Sequence, residues 1–253
     1  MKRREFLTAL GGTVLAGGAC AMGVKFLTDL KYEAVQIDKF GDRGLKRGMV
    51  IDLTKCAEGC TDCIDACRTE NNVYANAEGE KTGETQWDIH WIRKVKVHRE
   101  SAAGAEEREV LVLCNHCDHP PCAQVCPVQA TYQREDGAVI VDHHRCIGCR
   151  YCMIACPYSA RFFNYRDDGE WPNKKRPKRS HGVAESCTLC VHRLDNGLEP
   201  ACVEACREKG NDAIAVGDLN DPESNVSAKI AKGGATRLRE DLGTEPKVYY
   251  VGL

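Results

Sequence analysis

The chain has 253 residues, enough for one large domain or two small ones with a sizeable buried core. Its 35 basic and 37 acidic residues nearly cancel, which excludes the strongly basic class of nucleic-acid-binding proteins. Seventeen cysteines decide the class: sixteen fall into four groups of four, and only Cys20 stands apart, near the N-terminus.

The N-terminus has the pattern of an export leader. Lys2, Arg3 and Arg4 precede a weakly apolar segment over residues 6–23, and the arginine pair followed by "EFL" resembles the twin-arginine export motif. The apolar segment is short and interrupted by glycine, whereas a spanning helix needs about 20 strongly apolar residues. The pattern therefore predicts export rather than a transmembrane anchor.

A small-x-small sequence near the end of the leader predicts cleavage after Ala21. This gives a twin-arginine signal peptide over residues 1–21 and a linker over residues 22–45. Two alternatives stay open: the leader is retained as a membrane anchor, or Cys20 is lipidated at a poor lipobox.

The remaining elements are short. Strands are predicted at residues 49–53, 91–97, 109–113, 138–142, 213–219 and 247–253, and a helix at residues 64–71. These strands surround the cysteine groups, and each group is followed by a short helix-compatible segment. The sequence predicts an α+β fold with short strands, short helices and long loops rather than one large sheet.

The cysteine groups share one spacing pattern. They are Cys56, Cys60, Cys63 and Cys67 (group one); Cys114, Cys117, Cys122 and Cys126 (group two); Cys146, Cys149, Cys152 and Cys156 (group three); and Cys187, Cys190, Cys202 and Cys206 (group four). Group three is the bacterial ferredoxin run C-x2-C-x2-C-x3-C-P, in which the fourth cysteine ligates the partner cluster. The alternative is structural zinc, which needs only two cysteine pairs per site.

The group endings predict which groups pair. Groups two and three both end in Cys-Pro and are 19 residues apart, whereas groups one and four both end in Cys-Arg and lie far apart. The simplest arrangement is nested, with two bacterial-ferredoxin-like 2[4Fe–4S] modules. Residues 114–180 form a module inserted into an outer module made of residues 46–113 and 181–253.

The crossed rule for the fourth cysteine, which we expect at the start of a helix, then predicts four ligand sets. They are Cys56, Cys60, Cys63 and Cys206 (site I); Cys114, Cys117, Cys122 and Cys156 (site II); Cys126, Cys146, Cys149 and Cys152 (site III); and Cys67, Cys187, Cys190 and Cys202 (site IV). Each site would hold one [4Fe–4S] cluster. Every iron then has a cysteine ligand, so no cluster offers an open position for a substrate.

Four histidines lie in or beside groups two and three, namely His116, His119, His143 and His144. Because no cysteine is missing, they are predicted to be surface residues or neighbours of the ligands, not ligands themselves. The sequence also lacks a catalytic Ser-His-Asp set, a phosphate-binding loop and a dinucleotide fingerprint. It predicts a non-catalytic protein with no small-molecule substrate of its own.

A basic segment lies between groups three and four, with the sequence "NKKRPKRSH". Its charges are Lys174, Lys175, Arg176, Lys178 and Arg179. A solvated loop is the favoured interpretation. The functional alternative is a contact with anionic lipid or with an acidic partner.

From about Arg47 to the C-terminus the chain resembles the four-cluster ferredoxin subunits of the dimethyl-sulfoxide-reductase superfamily. The resemblance rests on "LCNHCDHPPCAQVCP", "CIGCRYCMIACP", "CTLCVHRLDNGLEPACVEAC" and "DLGTEPKVYYVGL". Within that family the chain is most similar to DsrO subunits of DsrMKJOP complexes. The electron-transfer subunits of tetrathionate and polysulfide reductases, which are molybdenum enzymes, are the alternative.

The resemblance implies an electron-transfer role in a membrane-bound respiratory complex of dissimilatory sulfur metabolism. The partners would be an integral membrane, quinone-interacting (NrfD-like) subunit and a periplasmic multihaem cytochrome. The chain would lie on the periplasmic side of the cytoplasmic membrane, exported folded and held there by its partners. Many relatives begin group one with C-x2-C, whereas this chain has three residues between Cys56 and Cys60, which leaves a [3Fe–4S] cluster open at site I.

Overall fold

The computed structural model describes residues 44–73, 88–101, 104–165, 171 and 173–253. The predicted signal peptide and most of the predicted linker lie outside these residues. The described residues all belong to one unit, which spans residues 39–253. None of their helices is both long enough and apolar enough to cross a membrane.

The elements are short and mixed, as expected for an α+β fold. In chain order they are β1 (Arg47–Asp52), α1 (Asp62–Asn71), β2 (Ile92–Ser101), β3 (Gly104–Leu113), α2 (Pro121–Gln124), β4 (Thr131–Gln133), β5 (Val139–Val141), α3 (Tyr151–Ala155), β6 (Phe162–Phe163), β7 (Ala184–Glu185), α4 (Val191–Leu194), α5 (Ala201–Glu208), β8 (Ile214–Asp218), α6 (Asn225–Ala231), β9 (Ala235–Arg237), a 3-10 turn (Glu240–Leu242) and β10 (Val248–Val251). The predicted strands and helix overlap β1, β2, β3, β5, β8, β10 and α1.

The largest sheet has four strands in the order β8-β1-β10-β9. Strand β1 pairs parallel with β10 and antiparallel with β8. The chain between the parallel strands β1 and β10 contains every cysteine group. Both faces of β1 are buried: Val50 packs with Val226 of α6, while Met49 and Ile51 face the main core. Such two-sided burial accounts for the continuous apolar run in β1.

The main core contains cysteines as well as ordinary apolar side chains. Met49, Ile51 and Leu111 pack in one cluster with thiols of sites I, II and IV. A second, smaller core cluster joins thiols of sites II and III to Val139 and Ala184. The cysteine groups therefore lie inside the fold and take the place of part of its apolar interior.

Two pairs of helices carry the ends of the cysteine groups. Helix α1 packs on α5, and α2 packs on α3. Because residues four apart lie on one face of a helix, α1 presents Cys63 and Cys67 together, and α5 presents Cys202 and Cys206 together. Each of these helices thus supplies thiols to both site I and site IV.

The fourth cysteines of groups two and three do not begin helices, and the expectation that they do was wrong. Cys126 follows the end of α2, and Cys156 follows the end of α3 with extended backbone angles (φ −79°, ψ 111°). The next residue in both cases is a proline. Proline disfavours the helical conformation in the residue before it, so each cysteine is turned out of the helix.

A small strand pair crosses the predicted boundary between the two modules. Strand β6 of the predicted inserted module pairs antiparallel with β7, where Phe162 faces Glu185. Residue 180, the predicted boundary, lies between these strands. The nested arrangement of the two modules, with its limits, stays a prediction.

Candidate metal centres

The thiols of site I line a small cavity. Cys56, Cys60, Cys63 and Cys206 line it together with Asn211. The backbone N–H of Ala213 donates to Cys206 Sγ at 3.3 Å, and the Asn211 amide lies 3.8 Å from Cys60 Sγ. The structure therefore brings a cysteine from group four to three cysteines of group one.

The extra residue in group one is accommodated in a turn. Gly59, directly before Cys60, has φ 71°, a left-handed conformation that glycine adopts at little cost. All four thiols of site I still reach the cavity. Burial raises the pKa of Cys63 to about 12, and the nearby Cys56 thiol adds to this shift.

Ionic side chains lie beside site I. The Asp62 carboxylate is 3.2 Å from Cys60 Sγ. Burial raises the pKa of Cys56, while the ammonium of Lys94 opposes that shift. Lys94 is itself held by Glu109 at 2.9 Å. Site I thus has the positive Lys94 and the negative Asp62 and Glu109 within electrostatic reach of its thiols.

The thiols of site II line a second small cavity. Cys114, Cys117 and Cys122 of group two line it with Cys156 of group three. Burial raises the pKa of Cys114 to about 12 and that of Cys117 to about 11. The guanidinium of Arg161 donates to Cys122 Sγ at 3.2 Å.

Site IV is the most deeply buried set, since all four of its cysteines are buried. Burial raises the pKa of Cys67, and the thiols of Cys187 and Cys190 add to the shift. The Asn71 amide spans two of these residues, 3.7 Å from Cys67 Sγ and 3.8 Å from Cys190 Sγ. A cysteine of group one therefore joins cysteines of group four, reciprocally to site I.

Site III lies nearest the surface. Burial raises the pKa of Cys152, and the thiols of Cys146 and Cys126 contribute. The backbone N–H of Ala184 points at Cys146 Sγ, 3.5 Å away. Cys149, the fourth predicted member, is exposed. The structure thus brings Cys126 of group two to group three, with Cys149 at the solvent edge.

These arrangements fit an inorganic cluster. No three or more Cys, His, Asp or Glu side chains of the described residues converge on one point that could hold a single metal ion. In sites I and II the thiols instead surround a space. A cubane cluster requires such an arrangement, because each of its four irons binds a different thiolate. In the site II cavity, the buried Asn115 amide finds no partner among the described residues, so it is available to a polar group bound there.

Thiols of neighbouring sites lie close enough to influence one another. Burial is the main cause of the raised pKa of Cys202 in site IV, and Cys63 of site I adds to it. Likewise burial dominates the raised pKa of Cys187 in site IV, with a contribution from Cys114 of site II. Site IV therefore lies between sites I and II.

Sites II and III are neighbours through a different pair. Cys122 of site II and Cys152 of site III pack in the same core cluster with Val139 and Ala184. Cys122 also contributes to the raised pKa of Cys152, after burial itself. The four sites follow one another in the order I, IV, II, III.

The histidines were predicted to be surface residues or neighbours of the ligands, and the structure shows both kinds. His116, directly before Cys117, is fully buried, and its Nδ1 accepts a hydrogen bond from the N–H of Val139 at 3.0 Å. Burial lowers the pKa of His116 to about 3, so it is neutral at pH 7. His119 and His144 are exposed, and burial lowers the pKa of His143 to about 4.

The basic segment is partly anchored rather than a free loop. Asn173 exchanges hydrogen bonds with Asn72 at the end of α1, and Arg179 packs over the ring of Trp91 and contacts Glu185. The three lysines of the segment are exposed. Anchoring the backbone at this place holds their charges on one part of the surface.

The model of one family matches residues 110–216, and that family is a 4Fe-4S dicluster domain. The match spans groups two, three and four. Among the described residues, the sixteen cysteines of the four groups are all free of disulfides.

Curated relatives match most or all of the chain. The Hdr-like menaquinol oxidoreductase iron-sulfur subunit 1 of Archaeoglobus fulgidus is 37% identical over 278 residues, covering 100% of this chain and 98% of the relative. The B subunit of tetrathionate reductase from Salmonella typhimurium is 38% identical, covering 99% and 88%. The menaquinone reductase iron-sulfur cluster-binding subunit of Nitratidesulfovibrio vulgaris is 36% identical, covering 85% and 92%.

Two of these relatives are described as iron–sulfur subunits, of a menaquinol oxidoreductase and of a menaquinone reductase, and the third as the B subunit of tetrathionate reductase. Their similarity extends over most of both chains, and the dicluster domain covers the cysteines of groups two, three and four. The chain therefore belongs to the family of ferredoxin-type [4Fe–4S] subunits that transfer electrons within oxidoreductase complexes.

Proposed function

We propose that the chain binds four [4Fe–4S] clusters, one in each of sites I to IV, and relays electrons between two partners. A bound cluster supplies a one-electron couple whose potential depends on nearby charges and hydrogen bonds. The observation that carries the proposal is the spatial order I, IV, II, III of the four thiol sets. A linear order has two ends, as a relay between two partners requires.

The proposal includes the crossed ligand sets and the nested modules. The packing of α1 on α5 and of α2 on α3 supports the pairing of group one with four and of group two with three. Site I is proposed to hold a [4Fe–4S] rather than a [3Fe–4S] cluster. In support, four thiols, and not three, line its cavity.

The membrane partner is proposed to dock at site III. Three large apolar side chains are exposed beside Cys149: Ile147 at 65%, Tyr151 at 58% and Ile154 at 83%. An exposed apolar patch next to a redox site favours a protein partner, because it would be covered in the complex. Arg150 is exposed within this patch, and the basic segment ends close by, where Gly182 packs against Gly148.

An apolar centre with basic neighbours suits an integral membrane, quinone-interacting subunit surrounded by anionic headgroups. Site I, at the other end of the series, would then face the second partner, a periplasmic multihaem cytochrome in a DsrO-type complex. The twin-arginine-like leader supports export of the folded chain to the periplasmic side. Dissimilatory sulfur metabolism is the proposed setting.

The second candidate is the electron-transfer subunit of a molybdenum reductase for tetrathionate or polysulfide. The observation in its favour is the 38% identity to the tetrathionate reductase relative over almost the whole chain. The two candidates share the four clusters and the membrane partner. They differ in the second partner, which is a cytochrome in one case and a molybdenum subunit in the other.

Purification of the native complex from solubilised membranes tests both. With the chain tagged at its C-terminus, the first candidate predicts haem absorbance and no molybdenum, and the second predicts molybdenum by elemental analysis. In either case a polytopic membrane subunit co-purifies. Recovery of the chain with four clusters but without any membrane subunit would contradict the docking proposal.

A further inference from the structure

Arg161 is a deeply buried cation with an unusual set of neighbours. It lies directly before β6 and is only 4% exposed. Its guanidinium donates to Thr131 Oγ1 at 3.1 Å and to Cys122 Sγ at 3.2 Å, and it lines the site II cavity. Its Nε has no hydrogen-bond partner among the described residues.

Burial of an unpaired charge destabilises the folded state, so we expect a negative group near Arg161. No carboxylate of the described residues forms an ion pair with Arg161. Buried Arg134 shows the ordinary solution, because it pairs with Asp136 at 3.2 Å and Asp195 at 2.7 Å. The groups that act on Arg161 as negative charges are instead cysteines.

Those cysteines belong to two different sites. Cys122, Cys114 and Cys156 are members of site II, and Cys152 is a member of site III. A neutral thiol cannot compensate a guanidinium, whereas an iron-bound thiolate carries the required negative charge. The charge of Arg161 is therefore compensated when iron–sulfur clusters occupy both site II and site III.

We propose that Arg161 is the shared counter-ion of sites II and III and raises the reduction potentials of their two clusters. The inference rests on the proposed function, because it needs clusters at those sites. Reduction adds one negative charge to a cluster, and a fixed cation nearby stabilises the reduced state. Burial strengthens this interaction because little water is present to screen it.

The test uses variants of the full chain in its purified complex. Arg161→Gln removes the charge and leaves a shorter polar side chain, and Arg161→Lys retains the charge. Arg239→Gln is the control, because it makes the same change in net charge at an exposed arginine paired with Asp241. Cluster potentials are measured by redox titration followed by electron paramagnetic resonance.

The expected result is selective. Arg161→Gln lowers the potentials of two of the four clusters, with at least a tenfold change in each oxidised-to-reduced equilibrium, or about 59 mV for one electron. Arg161→Lys restores most of the shift, and Arg239→Gln changes no potential. The Cys126→Ser variant, in which site III is lost, identifies which affected signal belongs to site III.

Two results would overturn the inference while leaving the proposed function intact: four clusters with unchanged potentials in Arg161→Gln, or equal shifts at all four. Absence of iron in the unmodified chain would instead refute the proposed function. If Arg161→Gln fails to retain iron, Arg161→Met replaces it, since it also removes the charge and its flexible apolar side chain suits a buried position. Unchanged potentials of sites II and III in that variant would also refute the inference.

Discussion

Asp62 offers a sharp test of the charges at site I. Its carboxylate Oδ2 lies 3.2 Å from Cys60 Sγ, at the first residue of α1. When Cys60 is an iron-bound thiolate it has no proton to donate, so the carboxylate opposes any further negative charge. Asp62→Asn removes that charge and offers an amide donor to the sulfur. We predict that the variant raises the reduction potential of the site I cluster.

The magnitude follows from Coulomb's law. An added electron is spread over the cluster, so we take a separation of about 6 Å, roughly twice the observed contact. Two unit charges at that distance interact by about 3 kcal/mol at an effective dielectric constant of 20 and by about 0.7 kcal/mol in bulk water. Asp62 is half-buried, which favours the lower half of that range. About 0.7–1.5 kcal/mol corresponds to roughly 30–65 mV for one electron.

The assay is a redox titration of the four cluster signals in the purified complex. Lys94→Gln is the matched variant of opposite sign, because it removes the positive charge beside Cys56. Asp62→Asn should raise one potential, and Lys94→Gln should lower the same one. Opposite shifts in two different clusters, or no shift in either variant, would refute the assignment of both side chains to one cluster.

The remaining predictions concern ligands, docking and stability. Cys126→Ser should remove the site III cluster, about four of sixteen irons, and Cys156→Ser the site II cluster; losses in the reverse order would disprove the crossed ligand sets. Ile154→Asp should release the chain from its membrane partner without loss of iron, measured by co-purification, whereas the control Leu242→Asp, at another exposed apolar residue, should not. Tyr250→Phe removes a buried hydrogen bond to a carbonyl of β3, 2.9 Å long, and should lower stability by about 1 kcal/mol, or about 2–4 °C in the apparent melting temperature. An unchanged melting temperature would show that this bond adds nothing to stability.

The crossed arrangement could be predicted because it depends on local geometry. The spacing within each cysteine group is short, so three thiols must share one site and the fourth must face another. The structure accordingly brings Cys206 to group one and Cys67 to group four. Residues at i and i+4 on α1 and α5 provide the physical reason, since one helix face serves two sites.

Features that depend on tertiary packing could not be predicted. The stretch "SARFF" contains Arg161, but nothing in the sequence indicates that this arginine is buried, with no carboxylate partner among the described residues. For His116 the sequence left open a surface position or a place beside the ligands, and only the structure shows it buried, with its ring accepting from the backbone of β5. The prediction that Cys126 and Cys156 begin helices was wrong because it neglected the proline that follows each of them. Proline disfavours a helical conformation in the preceding residue, and this local rule can be applied to the sequence alone.

The basic segment shows a different limit. Its five charges suggested a solvated loop, and three lysines are indeed exposed. Its anchoring depends on Asn173, whose amide donates to the carbonyl of Glu70 at 2.7 Å and whose backbone bonds Asn72. These hydrogen bonds join residues about 100 positions apart in the sequence, and no local sequence pattern predicts them.

Iron and acid-labile sulfide content of the anaerobically purified chain, together with electron paramagnetic resonance after reduction, tests the central claim most directly. Four [4Fe–4S] clusters predict about sixteen irons and sixteen sulfides per chain and four reducible centres. Zinc in place of iron, or about eight irons with two centres, would contradict the account.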